Sequence, residues 1–428
     1  MIDIQQYFDN MYRGSKNQSL QTIKCLFNKY DNFHNNMKFI HVAGTNGKGS
    51  CVEIINNILL KQGYKVGKFI SPHLIRYNER IVVNNKEITD KEMSDLIQEI
   101  EPVMEEYNKK NDLKVSYFEL LLLIALLYFY RKKVDFVILE TGLGGLYDAT
   151  NIIEKPLVSI ITSIGYDHIS LLGNTLEEIT NQKAGIIKEN SNTVFFEQTE
   201  AINKIIKNKC IEKTNKLHLI KREKIQNYRY NSKYQYFDYK EYENLELILK
   251  GEKQIQNAVV CIECIKILNK LGFNISEKSV REGLKTVIHK ARLETLNENP
   301  LIIFDGAHNA VAIENLQSNI NKYYRDYNLI YIVSILERKD YKKILELLLK
   351  DKDAKFVFTS GIDSKKYATK EELYNEAIKY TNNTNLYMKN LNEAIEDLLK
   401  EKDKKTVNFV VGSLYTYEYV TETIEKQK

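Results

Sequence analysis

The sequence predicts an α/β fold in which a mostly parallel sheet carries a phosphate-binding loop and a second α/β domain follows. Apolar runs of strand length alternate with segments of helix length along most of the 428 residues, which is the pattern of a parallel sheet covered on both faces. Near the start, an apolar run at 39–42 leads into a glycine-rich turn and then into a helical stretch. That order of strand, turn and helix is typical of sites that bind phosphate groups.

The elements of the first part of the chain follow in the order that such a sheet requires. Strands are predicted at 39–42, 64–70, 134–139 and 158–163, and helices at 51–60, 90–108, 117–130 and 175–187. A loop is predicted at 71–85. Tyrosines at 228, 230, 234 and 236 recur at even spacing, which predicts an antiparallel strand or hairpin within 227–249.

A second α/β pattern begins near Leu301. Its predicted strands are 301–304, 329–334, 355–359 and 407–411, with helices between them such as 341–349 and 370–380. The segment 297–300 predicts a linker, because asparagine and proline interrupt both helix and strand. We therefore expect an N-terminal domain at 1–296 and a C-terminal domain at 297–428.

Composition narrows the class of protein. The 62 lysines and arginines nearly balance the 57 acidic residues, so the net charge of +5 does not indicate a nucleic-acid partner. The longest apolar run, 120–130, is shorter than the roughly 20 residues that span a bilayer, and the N-terminus shows no signal peptide. Five scattered cysteines fit a reducing compartment better than a disulfide framework. We expect a cytoplasmic protein with no membrane partner and no nucleic-acid partner.

The glycine-rich turn has the parts of a phosphate loop without the common spacing. The phosphate loop is defined here as residues 44–50, which are Gly44, Thr45, Asn46, Gly47, Lys48, Gly49 and Ser50. Its glycines let backbone N–H groups converge on an anion, and the following helix adds the partial positive charge of its N-terminus. Lys48 would reach the outer phosphates and Ser50 would offer its oxygen to Mg²⁺. A bound nucleoside triphosphate is expected, and the alternative is a turn without a ligand.

Polar or glycine-rich segments follow three further predicted strands. Residues 71–73 follow the second strand, Glu140 and the glycines at 142–145 follow the third, and His168 comes shortly after the fourth. Because ligands of parallel sheets bind beyond the carboxyl ends of the strands, these segments predict one cleft shared with the phosphate loop. Each residue taken alone has a structural alternative, such as a carboxylate that caps a turn.

Several colinear segments resemble the folylpolyglutamate synthase / dihydrofolate synthase family, a branch of the Mur ligases. They are the phosphate loop, 71–74 with 78–81, Glu140 with 142–145 and 148–151, 167–168 with 183–188, 305–309, and 412–415. The resemblance covers nearly the whole chain. It implies a P-loop-containing, mostly parallel sheet domain with a small antiparallel sheet, followed by a Rossmann-like α/β C-terminal domain.

The resemblance also implies a reaction. ATP would phosphorylate a substrate carboxylate, the amine of L-glutamate would attack the resulting acyl phosphate, and an amide would form as phosphate leaves. The expected acceptor is the γ-carboxylate of a tetrahydrofolate or another folate, with dihydropteroate as a second acceptor in a bifunctional enzyme. The resemblance further implies Mg²⁺ as the metal and a monomer as the assembly.

The family's functional residues map onto positions of this sequence. Catalytic roles would belong to Lys48, His168 and Lys183, of which the last matches a lysine that is carbamylated in the family. Magnesium would be held by Ser50, Ser71, Glu140 and His168. Outside the phosphate loop, the nucleotide would contact Asn257, Arg292, Asp305 and His308. The acceptor would contact Ser71, Pro72, His73 and Arg80.

The sequence departs from the family pattern at Leu146, Gln182, Lys253, Ala291, Ala310 and Arg338. These departures leave two alternatives open, a diverged ATP-binding paralogue without ligase activity and a Mur-type ligase with another acceptor. A peptidoglycan-type Mur ligase is disfavoured, because only the 43 residues before Gly44 would be available for its additional N-terminal domain. A generic P-loop NTPase would leave the segments 305–309 and 412–415 unexplained.

Overall fold

The computed structural model describes residues 2–14, 19–231, 233–337, 339–361 and 367–426 of the chain. The chain divides into two compact units. The first unit contains Met1–Ile248 and Glu252–Val287, and the second contains Leu249–Gly251 and Ile288–Lys428. Three residues from the middle of the first unit's sequence therefore belong to the second unit.

The first unit is built from the following elements, in chain order. Its helices are α1 (Ile4–Asp9), α2 (Gln21–Asn28), α3 (Lys48–Gln62), α4 (Asp90–Lys110), α5 (Tyr117–Arg131), α6 (Ile169–Leu172), α7 (Leu176–Ala184), α8 (Glu200–Glu212), α9 (Glu252–Lys270) and α10 (Glu277–Thr286). Its strands are β1 (Phe39–Ala43), β2 (Val66–Phe69), β3 (Ile81–Val83), β4 (Lys86–Glu87), β5 (Phe136–Glu140), β6 (Val158–Ile161), β7 (Asn192–Phe196), β8 (Lys216–Ile220), β9 (Ile225–Tyr230), β10 (Gln235–Tyr239) and β11 (Tyr242–Leu247).

The main sheet of the first unit places β1 between two parallel neighbours. Its strand order in the described part of the chain is β4-β3-β2-β5-β1-β6-β7-β8, and only β3 and β4 run antiparallel to their neighbours. Strands β1, β5 and β6 are buried along their whole length, which explains why they are almost entirely apolar in sequence. Strands β9, β10 and β11 form the separate antiparallel sheet. The predicted α/β class, with a mostly parallel sheet and a small antiparallel one, is confirmed.

Helix α5 shows how the core of this unit is made. Its residues from Leu120 to Phe129 are all buried, and a capping box of Ser116 and Glu119 starts the helix. A helix that is apolar on all sides belongs inside a core, and α5 joins the same apolar cluster as Phe39 and Leu139 of the sheet. Among the helices that the structure describes, none is long and apolar enough to cross a membrane.

The second unit is a smaller α/β layer structure. Its helices are α11 (Ala310–Tyr323), α12 (Tyr341–Leu348), α13 (Lys370–Ala377), α14 (Leu391–Leu399) and α15 (Tyr417–Lys426). Its strands are β12 (Glu294–Glu298), β13 (Leu301–Asp305), β14 (Asn328–Val333), β15 (Lys355–Phe358), β16 (Leu386–Met388) and β17 (Thr406–Val411). The sheet order is β12-β13-β17-β14-β15-β16, in which only β12 is antiparallel to its neighbour.

Three details differ from the sequence predictions. The segment 297–300 is not a linker but part of a hairpin: Asn297 and Glu298 end β12, and residues 299–300 form the turn before Leu301 of β13. The predicted loop at 71–85 contains a short 3-10 helix at Tyr77–Arg80 and the strand β3. Strands β7 and β8 were not predicted, because β7 is short and begins with polar residues, and β8 is a half-exposed edge strand without an apolar run.

Candidate functional site

The phosphate loop follows β1 as the strand–turn–helix pattern predicts: residues 44–47 form the turn, and residues 48–50 form the first turn of α3. Gly47 caps α3 at a φ of 95°, a left-handed conformation that glycine adopts without strain. A Cβ at Gly47 would come 2.6 Å from Oδ1 of Asn257, so the Asn257 side chain of α9 lies against the loop. A Cβ at Gly44 would come 1.7 Å from Oγ1 of Thr162. Conformation favours glycine at both positions, close packing against Thr162 excludes a Cβ at Gly44, and a Cβ at Gly47 would displace the Asn257 side chain.

The segment that follows β6 fastens the phosphate loop from the other side. The Thr45 N–H donates to the Ser163 carbonyl at 2.7 Å, and the Thr45 hydroxyl donates to the Gly165 carbonyl at 3.0 Å. The Ser163 hydroxyl donates to the Asn46 carbonyl at 3.0 Å. Lys48 Nζ lies back over the loop and donates to the Gly44 carbonyl at 3.1 Å. The loop is thus held in shape by its surroundings, with its lysine inside the curve.

Glu140 and Ser71 are brought together beside this loop. Glu140 ends β5 and pairs in register with Val42 of β1, two residues before the phosphate loop begins. Its carboxylate is buried and accepts the Ser71 N–H at 3.2 Å through Oε2. With Ser50, which is also buried, the two residues offer one carboxylate and two hydroxyl groups. Such an oxygen donor set suits Mg²⁺, which keeps several water ligands.

His168 is placed differently from Glu140. It has a φ of 51°, precedes α6, and exposes 45% of its side chain. Its N–H donates to Oδ1 of Asp167 at 2.9 Å, and its Nε2 lies 3.9 Å from the same oxygen. The described residues contain no cluster of three or more His, Cys, Asp or Glu side chains that could hold a metal ion.

Lys183, near the end of α7, is a buried amine that contacts the phosphate loop. Its side chain is 3% exposed, and Nζ donates to the Gly44 carbonyl at 2.9 Å. Burial, together with the charge of Lys48, lowers the pKa of Lys183 to about 7, although Asp167 and Asp148 act in the opposite direction. Near neutral pH a large fraction of this amine is therefore uncharged and nucleophilic.

The predicted acceptor residues after β2 form a compact group around an aromatic ring. Arg80 Nε donates to Nδ1 of His73 at 2.8 Å, and the His73 ring lies 4.4 Å from the Tyr77 ring. Burial and the charge of Arg80 lower the pKa of His73 to about 3, so its ring is neutral at physiological pH. Pro72 joins this group to Ser71, which contacts Glu140. The segment thus runs from the Glu140 carboxylate to the Arg80 guanidinium.

A second arginine, which the sequence analysis missed, contacts this group. Arg13 donates from Nη1 to the Tyr77 hydroxyl at 3.2 Å, and its guanidinium lies 4.8 Å from the centre of the Tyr117 ring. Arg80 lies over the same two rings, 5.5 Å from Tyr77 and 5.8 Å from Tyr117. The two arginines are 67 positions apart in sequence, and no local motif marks Arg13. Asp9 accepts from Arg13 at 3.0 Å and from the Tyr77 hydroxyl at 2.9 Å, so it offsets one of the two positive charges. The group keeps a net positive charge beside two aromatic rings, which suits an anionic, ring-containing ligand.

The second unit brings Arg292, Asp305 and His308 together at the end of β13. Both Asp305 oxygens accept backbone N–H groups, from Leu293 and Ala307, each at 2.9 Å. Burial raises the pKa of Asp305, while the charge of Arg292 works against that rise. His308 must donate from Nδ1 to the Gly306 carbonyl at 2.8 Å, because a carbonyl only accepts.

Comparison with known proteins identifies the family of this chain. The profile of the Mur ligase middle domain matches residues 42–265, and that of the dihydrofolate synthetase C-terminal domain matches residues 289–422. The "Dihydrofolate synthase/folylpolyglutamate synthase" of Bacillus subtilis is 34% identical over 392 residues, covering 89% of this chain and 88% of that protein. The chain belongs to the folylpolyglutamate synthase / dihydrofolate synthase family of the Mur ligases.

Solved structures of the family share the whole fold. Folylpolyglutamate synthase from Thermotoga maritima has a TM-score of 0.83 at 31% identity, covering 99% of this chain and 96% of that one. Escherichia coli FolC in complex with DHPP and ADP has a TM-score of 0.85 at 28% identity, covering 99% of this chain and 97% of that one.

The departures from the family pattern lie in different surroundings. Leu146 is partly exposed, and its N–H donates to the Gln182 carbonyl at 2.7 Å. Lys253 Nζ donates to Oε1 of Gln256 at 3.2 Å. Ala291 is buried at a φ of 56°, where the family pattern has a glycine, so this chain carries backbone strain beside Arg292. Ala310 is simply the first residue of α11. Arg338 lies outside the described residues.

Proposed function

We propose that this protein is an ATP-dependent ligase that adds L-glutamate to the γ-carboxylate of a tetrahydrofolate or another folate through an acyl phosphate. The observation that carries the proposal is the arrangement around the phosphate loop. Lys183 and Asn257 lie against that loop, and Glu140, which contacts Ser71, ends the strand next to β1. A turn without a ligand would need none of these buried polar groups, each of which is costly to bury.

The first step would be transfer of the γ-phosphoryl group of ATP to a carboxylate oxygen of the folate. The phosphate loop would bind the triphosphate with its backbone N–H groups and with the N-terminus of α3. Lys48 would leave the Gly44 carbonyl and contact the outer phosphates. The transferring group carries negative charge on its oxygens, so a cation held at this point lowers the barrier.

The second step would be amide formation. The uncharged amine of L-glutamate attacks the carbonyl carbon of the acyl phosphate, a C–N bond forms, and the C–O bond to phosphate breaks. The amine loses one proton to solvent or to a nearby base, and inorganic phosphate and ADP are the other products. The protein would contribute mainly position, because two substrates held in line react as if in one molecule.

Mg²⁺, when bound by Glu140, Ser50 and Ser71, would neutralise charge on the phosphoryl oxygens. His168 would join this site by turning its exposed side chain inward, since its ring now lies 45% exposed beside Asp167. We therefore expect Glu140 to contribute more than His168 to magnesium binding.

Lys183 would act as a carbamate. The lone pair of its uncharged amine attacks carbon dioxide, an N–C bond forms, and one proton leaves to solvent. The product carries a negative charge in place of a cation beside Lys48 and the metal. The pKa of about 7 supports this proposal, because only the uncharged amine reacts.

The acceptor would bind along residues 71–80. A folate carries an aromatic ring system and a carboxylate, and the segment offers aromatic rings together with Arg80 and Arg13. Ser71, Pro72 and His73 would line the path from these arginines to Glu140.

The proposal also includes the roles of the two domains, the oligomeric state and the cellular compartment. The sequence-predicted domains, 1–296 for ATP binding and 297–428 for glutamate ligation, would meet instead near Val287 and Ile288, where the first compact unit ends and the second takes up the chain. The protein would be a cytosolic monomer. All five cysteines are free thiols, which supports a reducing compartment.

Dihydropteroate is a second candidate acceptor. The Bacillus subtilis relative carries both activities in its name, and the profile that matches the second unit is named for dihydrofolate synthetase. These names favour a bifunctional enzyme over one that only extends folates.

A direct assay separates these possibilities. The purified protein is incubated with ATP, Mg²⁺ and L-glutamate, with tetrahydrofolate in one tube and dihydropteroate in another, and mass spectrometry detects one added glutamyl residue. We expect product from tetrahydrofolate, and product in both tubes if the enzyme is bifunctional. Lys48→Met should abolish product, whereas Lys61→Met, at an exposed position in the last turn of α3, should not. ATP binding without product in either tube would contradict the proposal.

A further inference from the structure

A chain of buried polar side chains under the main sheet has no role in the steps above. His41, in the middle of β1, lies with Nε2 2.8 Å from Oγ1 of Thr150. The Thr150 hydroxyl lies 2.6 Å from Oδ1 of Asp148. His41 and Thr150 have no solvent exposure, and Asp148 is 8% exposed. Buried polar groups are costly, so a connected set of three calls for an explanation.

The number of available hydrogen atoms determines which group donates and which accepts in each hydrogen bond of this series. Asp148 accepts backbone N–H groups on both oxygens, from Leu143 and from Thr150, so its carboxylate acts as an acceptor. The single proton of the Thr150 hydroxyl must then point to Asp148. It follows that His41 is the donor to Thr150, through a proton on Nε2. Among the described residues none donates to Nδ1 of His41, which is consistent with this tautomer.

The charge state of His41 agrees with the same arrangement. Burial, together with the charge of Lys188, lowers the pKa of His41 to about 3. The groups around the ring include Lys188, whose Nζ donates to the Asn151 carbonyl at 3.2 Å, and Asp148 at the far side of Thr150. The ring is therefore a neutral donor near physiological pH.

At its Asp148 end, the hydrogen-bonded series contacts the glycine-rich turn, residues 142–145, that follows β5. Asp148 Oδ2 accepts the Leu143 N–H at 2.7 Å, at the middle of this turn. At the end of the turn, a Cβ at Gly145 would come 2.8 Å from the Gln182 carbonyl oxygen and 3.0 Å from that of Lys183. The turn therefore packs directly against the backbone of α7 at the residues that precede its end.

Helix α7 connects the glycine-rich turn to the phosphate loop. Lys183 reaches from it to the Gly44 carbonyl at 2.9 Å, at the first residue of the phosphate loop. A series of contacts thus begins at His41 in β1, passes through Thr150, Asp148 and the glycine-rich turn, and returns to Gly44, immediately after β1. Each member is fixed by a hydrogen bond or by a contact that leaves no room for a Cβ.

We propose that His41 is a positioning residue of the ligase: by donating Nε2–H to Thr150, it holds Asp148 and the glycine-rich turn in the register that places Lys183 on the phosphate loop. The proposal deepens the proposed function and rests on it for the role of Lys183. The hydrogen-bond chain itself is independent of catalysis, and it can be measured without turnover.

The first test measures the tautomer. In protein labelled with ¹⁵N-histidine, the His41 ring is assigned by its loss in His41→Gln. We expect a proton on Nε2 and a bare Nδ1, with no change between about pH 8 and about pH 5. A proton on Nδ1, or titration of the ring in that range, would overturn the proposal.

The second test measures ADP affinity by titration calorimetry, which needs no ligase activity. His41→Leu, which removes the donor, should weaken ADP binding about tenfold, and His41→Gln, which keeps an N–H at similar reach, should restore it to within about threefold. Thr150→Val should weaken binding as His41→Leu does, and Thr150→Ser should not. The double variant His41→Leu/Thr150→Val should be no weaker than either single variant, because the two residues act in series.

His34→Leu is the matched control. His34 is also buried, with an unpartnered Nδ1, but packs against Phe27 and Phe33 rather than under the site. It should leave ADP affinity unchanged even if stability falls. Unchanged ADP affinity in His41→Leu and Thr150→Val, or equal loss in Leu and Gln variants of His41, would contradict the positioning role. Failure of the proposed function would look different, since wild-type protein would then bind ADP and form no glutamylated product.

Discussion

Lys183 should destabilise the folded protein, and its replacement should therefore stabilise it. Its pKa falls from 10.5 to about 7 in the folded state, because its amine is buried beside Lys48. At about 1.4 kcal/mol for each pH unit, this drop corresponds to roughly 5 kcal/mol of stability lost when the amine is protonated in both states. Lys183→Met keeps the apolar stem and removes the charge, but loses the hydrogen bond to the Gly44 carbonyl, which contributes about 1 kcal/mol. The variant should gain roughly 4 kcal/mol near pH 6.5.

The pH dependence gives the prediction its sharpest form. Between about pH 7 and pH 10.5 the unfolded chain holds a proton that folded Lys183 has released, so the free energy of unfolding of the wild type rises with pH. The advantage of Lys183→Met should accordingly shrink by about 1.4 kcal/mol for each pH unit across this window. Below it, the advantage should be complete and constant.

Urea unfolding at several pH values, in buffers free of bicarbonate, measures this difference. Lys207→Met, at an exposed position of α8, controls for the substitution itself. A Lys183→Met variant that is less stable than the wild type at pH 6.5, or whose advantage does not change with pH, would refute the reasoning. If the gain is found together with loss of ligation, Lys183 is kept in spite of its cost to stability, which only a functional role explains.

Three further substitutions test separate parts of the site. Gly47→Ala should weaken ATP binding by about tenfold or more, because the new Cβ would meet Asn257 at 2.6 Å. The control Gly63→Ala, at the same φ of 95° with nothing within 4 Å, should cost only about 1 kcal/mol of stability, and equal ATP affinities of the two variants would refute the reasoning. Glu140→Gln should raise the Mg²⁺ concentration for half-maximal activity by about tenfold or more, and an unchanged metal titration would exclude it as a ligand. Asp305→Asn cannot accept both of its backbone N–H groups, so the KM for ATP should rise, and an unchanged KM would argue that Asp305 is only structural.

The parts of this protein that follow from sequence are those whose signal is local. The sequence predicts the strand at 39–42, the phosphate loop and the helix at 51–60 because an apolar run, glycines with a lysine, and a helical stretch adjoin one another; β1 and α3 confirm the strand and the helix, and α3 begins three residues earlier. The strand ends that carry Glu140 and Ser71 were predicted for the same reason, and the structure brings the two residues together.

The parts that sequence does not predict depend on contacts between distant residues. Arg13 meets Tyr77 across 64 positions, and His41 meets Thr150 across 109, so neither pair leaves a pattern in any window of sequence. His41 lies in an apolar run that predicts a strand, and nothing near it in the sequence indicates that its ring pairs with Thr150. The sequence predicts a linker at 297–300 where the structure has the end of β12 and a tight turn, because tight turns and linkers use the same residue types.

The central claim is that ATP activates a folate carboxylate as an acyl phosphate. Tetrahydrofolate labelled with ¹⁸O in its γ-carboxylate, incubated with the protein, ATP, Mg²⁺ and L-glutamate, tests it most directly. Formation of the acyl phosphate makes one carboxylate oxygen the bridge to phosphorus, and that oxygen leaves with phosphate when the amide forms. The account predicts one ¹⁸O atom in the inorganic phosphate for each fully labelled γ-carboxylate that is converted to an amide, and none from later additions to the new, unlabelled glutamate. Glutamylated product accompanied by unlabelled phosphate would contradict it.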